Sequence, residues 1–361
     1  MGRTELAKLL EKNTKAEDER ELWIWGTGNT AEMFAEGFRR WKRNGQILGY
    51  VDNNPEKWGK TFFEKPVISP NGLKKRQNPF VLLCSNQLDI IEAVGKQLDA
   101  MELRWELLES FVLRDLKEEV LKVYDILADE RSRSIYEYLV LCKMNGAYPQ
   151  EESGLLDCMH GYFSLPEFEK ADASEVFIDV GCFTGDTIEE YLNCKGNTFH
   201  QIYSFEPDKV SFSQAENNIK SLCERYHIER DRIHLFPYGV GGKTAEGVFR
   251  RFEETEGAGS KFVTGMVNDE KTETKIVALD DFLQDGFSLL KADVESYEYQ
   301  VLLGAEKSIR KYRPKLAICL YHNTFDFIQI PKLVKQMVSD YKLYIRQHAA
   351  SWYDTVLYAT I

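Results

Sequence analysis

The apolar positions keep strand-like and helix-like spacing in turn along the chain. ELWIWGTGNTAEMFAEGF, starting at Glu21, reads as strand, glycine turn and helix. ILGYVDNNPEKWG predicts a second strand that ends at Asp52 and turns at Asn54–Pro55. PFVLLCSN predicts a third short strand, and LDIIEAVGKQL after it has helical spacing. Strands alternating with helices imply a small parallel sheet. From Leu113 to Met144 the apolar residues Leu116, Val120, Val123, Leu127, Ile135, Leu139 and Cys142 recur at helical spacing, with a break near Asp129–Ser132. GAYPQEESGLLDCMHGYF mixes glycine, proline and polar residues and predicts a loop, placed where it can act as a lid on a second unit.

That second α/β unit begins near Glu175. Its predicted strands are Val176–Val180, Ile202–Phe205, Ile233–Phe236, Ser288–Ala292, Leu316–Leu320, Lys342–Ile345 and Thr355–Tyr358. Helical patterns such as Lys209–Arg225 and Tyr297–Lys311 fill most of the gaps, and Glu246–Val277 reads as an extra β insertion. The pattern predicts a doubly wound, seven-stranded sheet whose last two strands pair antiparallel. The expected organisation is a smaller Rossmann-like unit over residues 1–112, a helical connector and lid loop over 113–174, and the larger unit over 175–361. Each unit has its own strands and glycine turn, so the first is expected to be dispensable for ligand binding by the second.

Composition narrows the partners. With 361 residues, 43% hydrophobic, the chain can bury real cores. Its formal net charge of −12 disfavours nucleic acid, which needs a basic face. No apolar run approaches a membrane-spanning length, and the start MGRTELAKLLEKNTK has no signal-peptide core. Seven scattered cysteines without a CxxC pair fit reduced thiols better than disulfides or zinc. A cytoplasmic protein without membrane insertion is expected, its oligomeric state left open.

The candidate chemistry lies at the carboxyl ends of the second unit's strands, where open α/β sheets bind ligands. These ends carry Asp179; Glu206–Pro207; Tyr238–Gly239; Asp293 and Glu295; and Tyr321–His322. After Asp179, Gly181 and Gly185 permit a turn with positive φ, and Thr184 and Asp186 open a helix whose free N–H groups suit a phosphate, a carboxylate or water. An acid at the second strand end, Glu206, is placed to accept hydrogen bonds from two ribose hydroxyls. Asp293, Glu295 and His322 are candidate bases, and the same three have the ligand types for a divalent cation. Lys291 reads either as a partner for a carboxylate or as a snorkelling lysine, and Glu295 alternatively as a helix cap.

The segments EVFIDVGCFTGDT, IYSFEPDK, VALDDF, LLKADVESYEYQVLLGA, RPKLAICLYHNTFDFIQIP and TVLYA together resemble the FkbM family of S-adenosylmethionine-dependent methyltransferases, in the family's order and over nearly all of residues 175–361. The departures are Cys182, Ala292 and Ser296, the last standing where the family usually has glycine. The resemblance implies a class I methyltransferase fold with S-adenosylmethionine as cofactor. It places Asp179, Gly181 and Gly185 at the methionine part, Glu206 at the ribose, Tyr238 and Gly239 near the adenine, and Asp293 at the sulfonium side. It also implies O-methylation of a hydroxyl on a sugar, a glycan precursor or a secondary metabolite, and it requires no metal, so none is expected.

The first unit offers the alternative. GTGNTA (Gly26–Ala31), with Asp52 at the next strand end, has the outline of a dinucleotide fingerprint. GYVDNNPEKWG and KPVISP resemble Rossmann-like domains found beside sugar-modifying transferases. A nucleotide-sugar or dinucleotide-binding protein, an oxidoreductase or a binding module, is the second reading. Trp25 would crowd such a ligand, and no Tyr-x-x-x-Lys pair is found in the unit to support redox chemistry.

Overall fold

The computed structural model describes residues 2–11, 21–157, 161–250, 261–262 and 271–361. In the first unit β1 (Glu21–Trp25), β2 (Ile47–Val51), β3 (Thr61–Phe62), β4 (Lys65–Ile68), β5 (Pro79–Leu83) and β6 (Arg104–Leu107) form one sheet in the order β3-β4-β2-β1-β5-β6. All its pairings are parallel except that of the short β3 with β4. The three strands read from the sequence occupy its centre, where both faces are buried and the chain must be apolar throughout. The unpredicted β4 and β6 lie towards the edges, where Lys65, Pro66, Arg104 and Glu106 are tolerated and mask the pattern.

The second unit contains β7 (Val176–Val180), β8 (Gln201–Phe205), β9 (Ile233–Phe236), β10 (Gly239–Val240), β11 (Ala245–Arg250), β12 (Lys261–Phe262), β13 (Lys271–Val277), β14 (Leu289–Ala292), β15 (Lys315–Cys319), β16 (Lys342–Gln347) and β17 (Thr355–Thr360). Seven of these build the main sheet, in the order β16-β17-β15-β14-β7-β8-β9. β14, β7, β8 and β9 run parallel beside β15, and β17 enters antiparallel between β15 and β16. The expected antiparallel final pair is therefore present. The insertion forms a small separate sheet, β10-β13-β11-β12; residues 251–260 and 263–270 of the expected β insertion lie outside the described residues. The helix expected over Tyr297–Lys311 is two helices, Glu298–Gly304 and Glu306–Tyr312.

The connector forms three helices, Leu108–Asp115, Lys117–Ile126 and Glu130–Asn145, and breaks where the sequence indicates. Asp129 caps the third by accepting from the Ser132 N–H, and the Arg346 guanidinium at β16 bonds the same carboxylate at 2.7 Å. The connector is thus attached to the main sheet. The two units also share one core. A single buried cluster runs from Ile24 and Phe38 through Leu113 and Val140 to Ile318 and Phe325. Phe34, Phe38 and Trp41 ring the Phe325 side chain at centroid distances of 6.0, 5.9 and 5.6 Å. Beside them Arg40 pairs with the buried Asp326 at 2.6 Å. Removing the first unit would bare this apolar surface and strand the Asp326 charge, which argues against the dispensability expected from sequence.

Candidate active site

The ends of β7, β14 and β15 hold the charged residues singled out by sequence. Asp179 is fully buried and stands in register with Lys291 on β14. The Lys291 Nζ lies 3.1 Å from Asp179 Oδ1 and donates to the Gly181 carbonyl at 2.6 Å. Lys291 therefore does not snorkel: it is 2% exposed and holds the carboxylate. Burial works against its charge, but Asp179, Asp293 and Asp186 raise its pKa above the usual lysine value. Burial pushes the Asp179 carboxyl up, with Lys291 opposing.

Gly181 has φ +75, and a Cβ there would lie 1.9 Å from the Asp293 carbonyl oxygen. Its lack of a side chain is thus required first by the close approach of two strand ends, and not only by a ligand. Gly185 (φ +85) is the N-cap of the helix Asp186–Lys195 and provides no side-chain cap, so neither Thr184 nor Asp186 caps it. The Thr184 carbonyl accepts from the Asn218 side chain at 2.9 Å. Glu206 faces this turn from the end of β8. It accepts the Phe183 N–H at 3.0 Å and the Asp208 N–H at 2.8 Å. Burial pushes its pKa up to about 7 against those two bonds. Next to it Pro207 is half-buried and Gly239 buried, while the half-buried Tyr238 stacks on Phe236 with ring centroids 6.1 Å apart.

The second cluster forms around His322. The Asp293 carboxylate accepts from the hydroxyls of Tyr162 (2.8 Å) and Tyr321 (2.9 Å). The His322 Nε2 lies 3.4 Å from Asp293 Oδ1 and 3.6 Å from Glu295 Oε2, while Nδ1 lies 3.0 Å from Glu298 Oε1. These are ion-pair contacts, and neither ring nitrogen has a partner in hydrogen-bond alignment. Burial disfavours the imidazolium, yet Glu298 and Glu295 raise the His322 pKa well above its ordinary value. Burial pushes the Asp293 carboxyl up, but His322 and Lys291 outweigh it and hold the pKa below the usual carboxylate range. Glu295 does not cap the following helix, whose N-cap is Tyr297 without a side-chain cap; Glu298 instead reaches back to take the Val294 N–H at 2.7 Å. Glu295 (φ 53) and Ser296 (φ 76) are both left-handed, a strained pair of the kind found where a side chain must be aimed.

Structure thus groups Asp179, Gly181, Gly185 and Glu206 on one side and Asp293, Glu295 and His322 on the other, with Lys291 between. Sequence reasoning missed Tyr162 and the role of Glu298. Tyr162 comes from the segment expected as a lid, whose residues 158–160 lie outside the described ones. A loop residue has no period to betray it. Glu298 resembles an ordinary first-turn acid.

The first unit's turn is arranged differently. Asp52 receives the Thr27 N–H and hydroxyl, the Asn54 N–H at 2.8 Å and the Lys57 ammonium at 3.0 Å. The carboxylate that a dinucleotide ribose would need is held by its own loop. A Cβ on Gly26 would lie 2.8 Å from the Cys84 carbonyl oxygen, so this glycine too is set by strand packing, and Trp25 is buried in the core.

This fold, with charged groups collected at the carboxyl ends of β7, β8, β14 and β15, is that of a methyltransferase. Residues 179–349 match the family model of the methyltransferase FkbM domain, so the chain carries an FkbM-family methyltransferase domain. Among solved structures, a methyltransferase FkbM from Methylobacillus flagellatus KT is similar at 16% identity and a TM-score of 0.57. The match covers 99% of this chain and 98% of that one, so the fold is shared over both units. A putative rRNA methylase from Clostridium thermocellum matches at 8% identity and a TM-score of 0.34, over 52% of this chain and 87% of its own. An rRNA methylase from Streptococcus thermophilus matches at 14% and 0.33, over 55% and 91%. These two are too distant to bear on mechanism. No curated protein matches the chain in sequence. Among the described residues no helix is long and apolar enough to cross a membrane.

Proposed function

We propose that the protein transfers a methyl group from S-adenosylmethionine to a hydroxyl of a small-molecule or carbohydrate acceptor. The observation that carries this reading is Glu206: a carboxylate buried at the end of β8, its two oxygens each bonded to a single N–H, facing a left-handed turn and a helix start without a side-chain cap. That donor and acceptor set fits a nucleoside with a charged tail. Glu206 would take the ribose hydroxyls, Tyr238 and Gly239 would flank the base, and the turn from Gly181 to Asp186 would hold the amino-acid part. Lys291 keeps Asp179 ionised beside it.

When bound, S-adenosylmethionine supplies an electrophilic methyl on sulfonium, and positioning the acceptor supplies much of the acceleration. The acceptor hydroxyl sits between the ends of β14 and β15. His322, held as imidazolium by the carboxylates around it, orients the acceptor oxygen and does not take its proton. Glu295 Oε2, buried and without a hydrogen-bond partner, receives that proton as the oxygen–carbon bond forms and the carbon–sulfur bond breaks. Asp293, fixed by two tyrosines, would face the sulfonium side of the bound cofactor, whose charge is lost when the neutral thioether leaves. Calorimetry tests the cofactor assignment. S-adenosylhomocysteine should bind one to one and NAD should not, and Glu206→Ala should weaken S-adenosylhomocysteine by about 1–3 kcal/mol. NAD binding with no affinity for S-adenosylhomocysteine would overturn the reading.

A further inference from the structure

The first unit has a ligand crevice of its own, and it opens on the second unit. Open α/β sheets bind ligands beyond the carboxyl ends of their strands, at the point where the strand order reverses. In the first sheet the chain runs outwards from β1 through β2 and β4, then returns to β5 on the other side of β1. That point therefore lies between β1 and β5. A narrow cavity is found there, walled by Thr30 from the helix after β1, Asn86 after β5 and Glu109 after β6. Tyr321 and His322, just beyond β15, form its other side together with Trp352. We propose that this cavity binds the acceptor, that the acceptor is a neutral, polyhydroxylated ring, and that Asn86, Glu109 and Trp352 select it. The inference rests on the methyl-transfer reading and gives the first unit a part in it. The reacting hydroxyl lies against His322 and the rest of the ring against the first unit.

Each of the three selecting residues has polar capacity left over. Trp352 is 7% exposed, and its indole N–H has no partner among the described residues. A buried indole N–H normally finds one, and a ring hydroxyl would supply it. The Tyr148 ring packs edge-on against Trp352 with centroids 5.8 Å apart and steadies it. Asn86 Oδ1 accepts the Thr30 hydroxyl at 3.1 Å, which leaves the amide NH2 to donate. Glu109 Oε1 takes the Lys143 ammonium at 2.9 Å and the Thr324 hydroxyl at 2.8 Å, which leaves Oε2 to accept. Donors and an acceptor set on different walls suit several hydroxyls carried by one ring. Charge argues against an anion. The cations among the described lining residues are Lys143, already paired with Glu109, and His322, already faced by three carboxylates. A phosphate or carboxylate there would be desolvated without a free positive charge. The narrowness of the cavity suits one ring and not a branched chain.

The test uses the full chain, S-adenosylhomocysteine and a panel of methyl glycosides. The neutral members are those of glucose, galactose, mannose, rhamnose and fucose, and methyl glucuronoside and glucose 6-phosphate are the anionic counterparts. Saturation-transfer NMR should show binding of at least one neutral glycoside and of neither anion. Asn86→Ala and Trp352→Phe should each weaken that glycoside about fivefold or more and leave the calorimetric affinity for S-adenosylhomocysteine within about twofold. Binding of no neutral glycoside, binding of an anion in preference, or binding that either variant leaves unchanged overturns the site, and the panel on the unaltered chain needs no variant to fold. If S-adenosylhomocysteine binds while no neutral glycoside does, only the acceptor site falls. If a glycoside binds with the expected response to both variants and S-adenosylhomocysteine does not bind, the methyl-transfer reading falls and the cavity stands as a carbohydrate site.

Discussion

The ring of Phe325 occupies the space that a side chain at Gly37 would need: a Cβ built there would lie 2.1 Å from Cδ2. One residue from each unit thus fixes how closely the helices Ala35–Arg40 and Thr324–Met337 approach. Gly37→Ala should destabilise the chain by about 1–3 kcal/mol through overpacking. Phe325→Ala, which empties the same site, should cost about 3–5 kcal/mol. Urea midpoints measure both, and unchanged midpoints would show that the units do not meet there.

Glu206 should make the ligand-free protein less stable as pH rises. Its folded pKa of about 7 lies above the ordinary 4.5. Between these values the folded state binds the extra proton, so stability falls across that window and levels above it, by about 3 kcal/mol. Glu206→Gln should flatten the curve over this range. Denaturation of both proteins from pH 4 to 8 gives the difference, and parallel curves would contradict it.

Lys291→Met should be severely destabilising, by about 3–5 kcal/mol, because Asp179 is left as an unpaired buried charge. The double variant Lys291→Met, Asp179→Leu removes both charges and should recover much of that loss. Thermal melts of the three proteins decide it. A double variant no better than the single one would mean that the pair is not the source.

His322 should hold its proton to a higher pH than a free imidazole, since Glu298 and Glu295 raise its pKa well above 6.5. The stability this contributes is fully present below the unfolded value near 6.5 and is lost as pH rises through the folded one. Nitrogen chemical shifts of labelled histidine report the state directly. Glu298→Gln should move the titration down, and a ring that titrates at or below 6.5 would refute the assignment.

Much of this was legible in the chain. All seven strands of the larger sheet were readable because each carries a short run rich in apolar residues between helical or turn segments. The acids at their ends were readable because the strands point to them. Contacts that cross between units were not. Gly37 and Phe325 are far apart in sequence, and nothing local marks either as the other's partner. The orientation of His322 was also hidden, because it depends on Glu298, four residues beyond Val294 in a turn where Glu295 and Ser296 are both left-handed. Tyr162 reaches Asp293 from a loop with no pattern.

His322 immediately precedes Asn323, which caps the helix Thr324–Met337 by accepting from the Asp326 N–H at 2.9 Å. Asp326 and Phe325 in that first turn are the residues clasped by Arg40 and the aromatic ring of the first unit. His322 is therefore moored by a segment nearly three hundred residues away in the chain. Warming that loosens the N-terminal sheet would free the helix start, and catalysis would fail before the larger sheet melted. On the methyl-transfer reading, the half-life of activity at high temperature is then governed from the end of the chain opposite the proposed chemistry.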